Sequence, residues 1–273
     1  MPDWDPELYN RFRAYRSEPV TMMLGRLQLG PRERIVDLGC GTGEHSAELA
    51  RRCSEGHVVG IDSSPAMIER ALKLRASLDS ELRQRLQFEL ADFRNFDADR
   101  QYTLIFSNAA LQWVSDHRSV LVAAYRALRD NGRIAIQMPA NEHETAQLMM
   151  REMAAEAPWS GMVGGVRTPS DENVLPAATY TEIMADIGFS EVSCFYHTFH
   201  HPMGAPAEVV EFCRSTSLRR FLDPLPPTQQ PAFIAALTQR LETAYGTIGP
   251  LTFTFRRLFL WGRRAGTASE PSH

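Results

Sequence analysis

Polarity along the chain alternates between short, almost wholly apolar runs and longer stretches in which apolar residues recur every three or four positions. The short runs are 34–38, 57–61, 86–90, 102–107, 133–138, 192–199 and 252–260, too short for helices and rich in β-branched and aromatic residues. They predict seven strands. The amphipathic stretches, among them Glu44 to Arg52, Ala66 to Leu78, Val120 to Leu128, Glu142 to Ala157 and Tyr180 to Ile187, predict the helices that cover them. Strands alternating with helices point to an α/β, doubly wound, seven-stranded and mostly parallel sheet. Asp5 to Leu27 predicts an N-terminal helical segment, with a break near Pro19 where the ring removes a backbone donor. Residues 202–250 carry helical periodicity around Val209, Val210, Phe212, Ile234, Leu237 and Leu241, and predict a helical lid inserted before the last strand. Asp79 to Arg85, Asp130-Asn131-Gly132 and 160–176 read as connections. The expected division is a helical cap over 1–30, an α/β core over 31–201 and 251–264, the lid over 202–250 and a disordered tail over 265–273.

The first strand runs directly into Gly39-Cys40-Gly41-Thr42-Gly43. Glycines there allow dihedrals closed to other residues and let a ligand approach the main chain, so the backbone N–H groups are expected to form the binding surface. The spacing is G-x-G-x-G. A dinucleotide fingerprint would place glycine at 44, where this chain has Glu44, whose carboxylate repels a diphosphate. Asp37 adds negative charge beside the loop, which suits a ligand with an ammonium or sulfonium group; S-adenosylmethionine carries both. Asp62 ends the second strand nineteen positions after Gly43, close to the ~20-residue offset at which an acid meets ribose hydroxyls. Ser64-Pro65 reads as an N-cap followed by a first-turn proline. Asp92 follows the third strand, placed to accept from an adenine amino group. Ligands of open parallel sheets bind beyond the strands' carboxyl ends, so Asn108, Leu111, Gln112 and Trp113 are expected at the reaction centre, with Trp113 walling the methyl pocket.

Composition narrows the partners. Twenty-nine basic against 33 acidic residues give a net charge of −4, so no basic field attracts nucleic acid. No run approaches the ~18 apolar residues of a membrane span, and Asp3, Asp5 and Glu7 stand where a signal segment would be apolar; a cytoplasmic protein with no membrane partner is expected. Cys40, Cys53, Cys194 and Cys213 show no metal-ligand spacing, so no metal is expected, and Cys40 reads as a small apolar residue against the sheet.

The segments VDLGCGTG (Val36 to Gly43), GIDSSPAMI (Gly60 to Ile68), ADF (Ala91 to Phe93) and SNAALQW (Ser107 to Trp113) resemble, in order and spacing, the class I S-adenosylmethionine-dependent methyltransferases. More narrowly, W-D-P-x-x-Y-x-x-F-x-x-x-R-S (Trp4 to Ser17), SNAALQWVSDH (Ser107 to His117) and IQMPANE (Ile136 to Glu142) look like trans-aconitate methyltransferases, and the resemblance reaches about Arg264. It implies a Rossmann-like fold and S-adenosylmethionine as cofactor, held by Asp37, Gly39, Cys40, Gly41, Gly43, Asp62, Ser63, Met67, Ala91, Asp92, Phe93, Asn108 and Trp113. It also implies methyl transfer to a carboxylate oxygen of a small polycarboxylic acid, giving a monomethyl ester.

Such a carboxylate, with a pKa near ~4, is already ionised at neutral pH and needs no general base, so no residue is assigned as catalytic. Recognition of the polyacid needs arginine's planar fork. Of Arg16, Arg167, Arg214, Arg219, Arg220, Arg256 and Arg257, the resemblance favours Arg16, Arg219 and Arg257, with Trp113 beside them. His197, His200 and His201 read as structural, while Tyr180 and Tyr196 are candidate hydrogen-bond donors to a carboxylate. Ala140 stands where the family commonly has an acid, and Arg256-Arg257-Leu258-Phe259 replaces the commoner Pro-Arg-Leu-Phe. The alternatives are therefore a methyltransferase for another small acid or secondary metabolite, or a cofactor-binding module without catalysis. The expected assembly is a monomer or weak homodimer.

Overall fold

The apolar runs become β1 (Arg34–Leu38), β2 (His57–Asp62), β3 (Leu86–Leu90), β4 (Tyr102–Asn108), β5 (Leu128–Pro139), β6 (Phe189–Met203) and β7 (Leu251–Arg264). The computed structural model, which describes residues 12–266 apart from Ser215 and Ile248, joins them into one seven-stranded mixed sheet of order β3-β2-β1-β4-β5-β7-β6. The pairings β1–β2, β1–β4, β2–β3 and β4–β5 are parallel, with Val36 opposite both Val59 and Ile105. Ile35, Val36, Leu38, Leu104, Ile105 and Phe106 are fully buried. Each such side chain contributes ~1.5–3 kcal/mol by leaving water. Strand order reverses between β1 and β4, which puts the ligand crevice of a doubly wound sheet at the carboxyl ends of these two strands.

The helices are α1 (Arg13–Arg26), α2 (Glu44–Arg52), α3 (Pro65–Ser77), α4 (Ser80–Arg85), α5 (His117–Ala127), α6 (Thr145–Ala154), α7 (Ser160–Val163), α8 (Pro169–Asn173), α9 (Ala177–Ile187), α10 (Pro206–Arg214), α11 (Arg219–Leu222) and α12 (Gln230–Tyr245). Ser64 caps α3, accepting from the Met67 N–H, and Gly188 closes α9 at φ 108°. Four expectations are corrected. The N-terminal helix is unbroken through Pro19: the ring removes one donor, but Pro19, Val20, Met23 and Leu24 are each buried, and that burial outweighs one lost bond. The segment 79–85 is helical because the Asp79 carboxylate accepts from the Leu82 N–H at 2.8 Å, capping α4. Asp130-Asn131-Gly132 lies within β5 as an irregularity, with Asn131 at φ 63° near a register shift opposite Tyr102 and Leu104. The 160–176 segment contains α7 and α8, the second held by Asp171 accepting from the Thr168 N–H at 2.8 Å.

The chain forms two compact units. The first comprises, of the described residues, Val20–Pro139, Asn173–Tyr196 and 258–266. Glu33 ties it together at the start of β1, accepting from Arg133 at 2.6 Å and the Gly30 N–H at 3.1 Å. The second comprises, of the described residues, 12–19, Ala140–Glu172 and His197–Arg257. Its core packs α12 against both α10 and α6, with Trp159 edge-on to Phe233 at 5.2 Å. Residues 202–250 therefore share a core with the segment after β5. Among the described residues no helix is long and apolar enough to cross a membrane.

Candidate functional site

The glycines after β1 all have positive φ: 75° at Gly39, 56° at Gly41 and 84° at Gly43. Their surroundings differ. A Cβ on Gly39 would lie 2.3 Å from the Ala110 Cβ, and one on Gly43 would lie 2.3 Å from the Phe88 ring, whereas Gly41 has nothing within 4 Å. Gly39 and Gly43 are demanded by the fold; Gly41 is the open point of the loop. The loop amides turn inward, which corrects the expectation that they form the binding surface. Gly39 and Cys40 both donate to the Ile61 carbonyl at 2.9 Å, Gly43 donates to the Cys40 carbonyl at 3.0 Å, and Gly41 donates to Asp62 Oδ2 at 2.9 Å. S-adenosylmethionine, unlike a dinucleotide, brings no diphosphate for those amides to meet.

The acids occupy three environments. Asp62 is half-buried at the end of β2, its Oδ1 accepting from the Ser64 N–H at 2.9 Å and its Oδ2 from Gly41. Asp92 caps the short turn Phe93–Asn95, where Arg94 donates to it through the backbone N–H and Nε, at 2.9 and 2.8 Å, and holds its carboxyl below the usual range. Asp37 lies beneath the loop, 1% exposed, with the Ser46 hydroxyl donating to Oδ2 at 2.6 Å. Burial, with Asp62 nearby, raises its pKa from the ordinary 3.8 to about 7. Its negative charge is thus only partly present at neutral pH.

Because the folded state holds this proton to about pH 7 and the unfolded chain releases it near 3.8, Asp37 lowers stability as pH rises through that window. Asp37→Asn should therefore flatten the loss of urea midpoint between pH 5 and 7. A slope identical to wild type would remove Asp37 as its source.

Around these acids, Phe93 and Cys40 are buried, Met67 and Ala91 are half-buried, and Ser63 is exposed. Burial raises the Cys40 thiol far above its ordinary value, so it stays a thiol. Asn108 ends β4 with its Oδ1 buried and, among the described residues, without a hydrogen-bond partner. Ala109 follows at φ 53°, held there by its N–H donating to the Gln137 carbonyl at 2.8 Å. This strained position at a strand end carried no sequence signal. The 111–113 turn is fixed by the His117 ring, which contacts the Leu111 carbonyl at 2.8 Å and the Tyr180 hydroxyl. Burial keeps this imidazole neutral, and Tyr180 is fully buried, so its role is support of the turn. Tyr196 accepts from the Ala177 N–H at 3.2 Å. Trp113, expected to wall the methyl pocket, is 61% exposed and lines a cavity of about 380 Å³ with Arg94, Val114, Ser115, Asp116, Ser119, Val120 and Asn173.

In the second unit the structure separates the candidate arginines. Arg257 on β7 lies with its Cζ 3.8 Å from the centre of the Phe255 ring, and its Nε is buried with no hydrogen-bond partner among the described residues. Burial and then the nearby Arg16 charge bring its pKa down to about 9. Arg16 donates to the Phe212 carbonyl at 3.2 Å, with its Cζ 4.8 Å above the Phe212 ring. Arg219 instead pairs with Asp223 at 3.4 Å along α11, and Arg220 donates to the Arg167 carbonyl at 3.3 Å. Arg16 and Arg257 come together; Arg219 is engaged elsewhere. Tyr9 lies outside the described residues.

A family model described as "Methyltransferase domain" matches residues 29–183. Trans-aconitate 2-methyltransferase of Methylobacterium radiotolerans is 37% identical over 268 residues, covering 97% of this chain and all of that protein. The enzyme of the same name from Escherichia coli O1:K1 is 35% identical over 266 residues, covering 97% of this chain and 99% of that protein. The chain belongs to the methyltransferase family. It is an S-adenosylmethionine-dependent methyltransferase. Among solved structures, the YcgJ protein of Bacillus subtilis superposes with a TM-score of 0.62 at 13% identity, over 91% of this chain and 98% of that one. Phosphoethanolamine N-methyltransferase 2 of Haemonchus contortus, solved with S-adenosyl-L-methionine, gives 0.57 at 17% identity, over 90% and 52%. These two share the fold.

The residues of the methyltransferase fit its cofactor. The orphaned Asn108 oxygen, at the end of β4, is an acceptor for an ammonium or hydroxyl, and Gly41, in the loop that follows the neighbouring strand β1, has open space where a Cβ would stand. Asp62 and Asp92 each keep acceptor capacity after their protein hydrogen bonds, since a carboxylate has about four lone-pair sites.

Proposed function

We propose that this methyltransferase, acting in the cytoplasm, esterifies one carboxylate of a small polycarboxylic acid, with trans-aconitate or a close analogue as substrate and a monomethyl ester as product. The observation that carries this is the pairing of the partly desolvated Arg257 with Arg16, in a chain that matches trans-aconitate 2-methyltransferases over their whole length. Two like charges brought together in an aromatic setting are stabilised by an anion, and arginine forks suit a carboxylate.

Bound S-adenosylmethionine supplies a methyl group activated by the adjacent sulfonium. Asp62 would accept from ribose hydroxyls, Asp92 from the adenine amino group and Asn108 from the ammonium, while Gly41 admits close approach. Gly39, Cys40, Gly43, Ser63, Met67, Ala91 and Phe93 shape that site, and Asp37 steadies it from below. Arg16 and Arg257 keep the substrate carboxylates ionised and oriented. An oriented, ionised carboxylate needs no proton removed, so alignment and exclusion of water are the work left to the protein.

Incubation with S-adenosylmethionine and a panel of small acids should convert trans-aconitate to a product one methyl heavier, and mild alkali should regenerate the acid. A methyl group that survives alkali would exclude the ester.

A further inference from the structure

His201, on β6, is fully buried, and among the described residues neither ring nitrogen has a hydrogen-bond partner. Buried polar groups are normally satisfied, so an imidazole with both nitrogens unmatched asks for an explanation. Its ring faces are covered: Tyr15 stacks on it at 4.3 Å and 14°, and Phe255 and Phe212 lie 5.6 and 6.4 Å away. Glu18 Oε2 stands 3.7 Å from Nδ1, beyond hydrogen-bonding distance, on a side chain 46% exposed. Burial, then the charge of Arg257, then His200 depress the imidazole pKa to about 4, so near neutrality it is uncharged and offers one N–H donor. The same Arg257 has the unmatched Nε–H. Packing alone would be served better by phenylalanine, which fills a stacked aromatic slot without leaving nitrogens unsatisfied.

We infer that His201 belongs to the carboxylate-recognition site, donating a ring N–H to the substrate anion held by Arg16 and Arg257 and so helping to select polycarboxylates over monoacids. This rests on the reading of the arginine pair as the polyacid site. His201 is thereby a specificity residue drawn from β6, joined to Arg16 of α1 and Arg257 of β7, with the aromatic stack holding the ring edge-on to its ligand.

The test compares wild type with His201→Phe, which keeps the ring, and His201→Gln, which keeps an N–H donor. His201→Phe should raise KM for trans-aconitate about tenfold or more with kcat and S-adenosylmethionine affinity within about threefold of wild type, and His201→Gln should recover most of the loss. An unchanged KM in His201→Phe, or a glutamine variant as impaired as the phenylalanine one, overturns the inference. If His201→Phe does not fold, ¹⁵N-histidine-labelled wild type decides: the His201 ring nitrogens must shift on titration with trans-aconitate in the presence of S-adenosylhomocysteine, and no shift at saturation overturns it. Arg257→Ala separates the two readings. If that variant raises KM and His201→Phe does not, only the His201 inference fails; if Arg257→Ala also leaves KM unchanged, the polyacid reading fails with it.

Discussion

Replacing Arg257 by alanine should lower kcat/KM for trans-aconitate about a hundredfold and leave S-adenosylmethionine affinity within about twofold of wild type. Charge-assisted hydrogen bonds to a carboxylate contribute ~1.5–3 kcal/mol, and the guanidinium has donors to make more than one. The Nε of Arg257 is buried without a partner among the described residues, so its interaction with an anion is not offset by a bond to them that must first break. Arg257→Lys should recover only part of the loss, because an ammonium keeps the charge and not the fork. Its charge lies against that of Arg16, so removing it also relieves repulsion, and the folded state should melt no earlier than wild type. Steady-state kinetics, calorimetric titration with cofactor and a thermal melt on one preparation check all three. A kcat/KM within about threefold of wild type would send the search for the polyacid site elsewhere.

The glycine loop gives the second large effect, and here two neighbouring positions should behave differently. Gly43→Ala forces a Cβ to 2.3 Å from the Phe88 ring at φ 84°, so it should lower the melting temperature markedly. Gly41→Ala meets nothing within 4 Å, so its cost is the left-handed conformation alone, about 1–2 kcal/mol. That variant should fold and yet bind S-adenosylmethionine at least about tenfold more weakly, since the added methyl stands at the one glycine left open for a ligand. Differential scanning calorimetry and isothermal titration separate the two. A Gly41→Ala protein with wild-type cofactor affinity would show that the ligand does not approach the loop there.

Elements whose ends carry local chemistry were legible in the sequence. Gly43 and Glu44 open α2, Ser64 and Pro65 open α3, and Gly188 closes α9, each through a bond or dihedral set by the residue itself. What escaped depended on tertiary context. Pro19 does not break α1, because burial of the surrounding side chains exceeds one lost donor. Asp79 initiates a helix only because the Leu82 N–H turns to meet it, a bond that a charged stretch does not advertise. The same holds for the site. The order of acids along the strand ends announced a cationic ligand, but not that Asp37 would be submerged or that Asp92 would already hold Arg94. Seven arginines looked alike in sequence. Only the fold distinguishes Arg257, set against Arg16, from Arg219, matched with Asp223.

The sheet is open at both ends, with β3 and β6 as its outermost strands. At five residues, β3 offers a second chain little to pair with, but β6 runs for fifteen, long enough to template edge-to-edge growth. Its two ends are spoiled for that purpose. Near the start Glu191 takes φ 51°, which turns the backbone out of ladder geometry and places a charge at the rim, and near the finish Pro202 has no N–H to give. Edge-to-edge pairing along β6 is thereby broken off at Glu191 and at Pro202, which confines any ladder with a second chain to the ten residues between them.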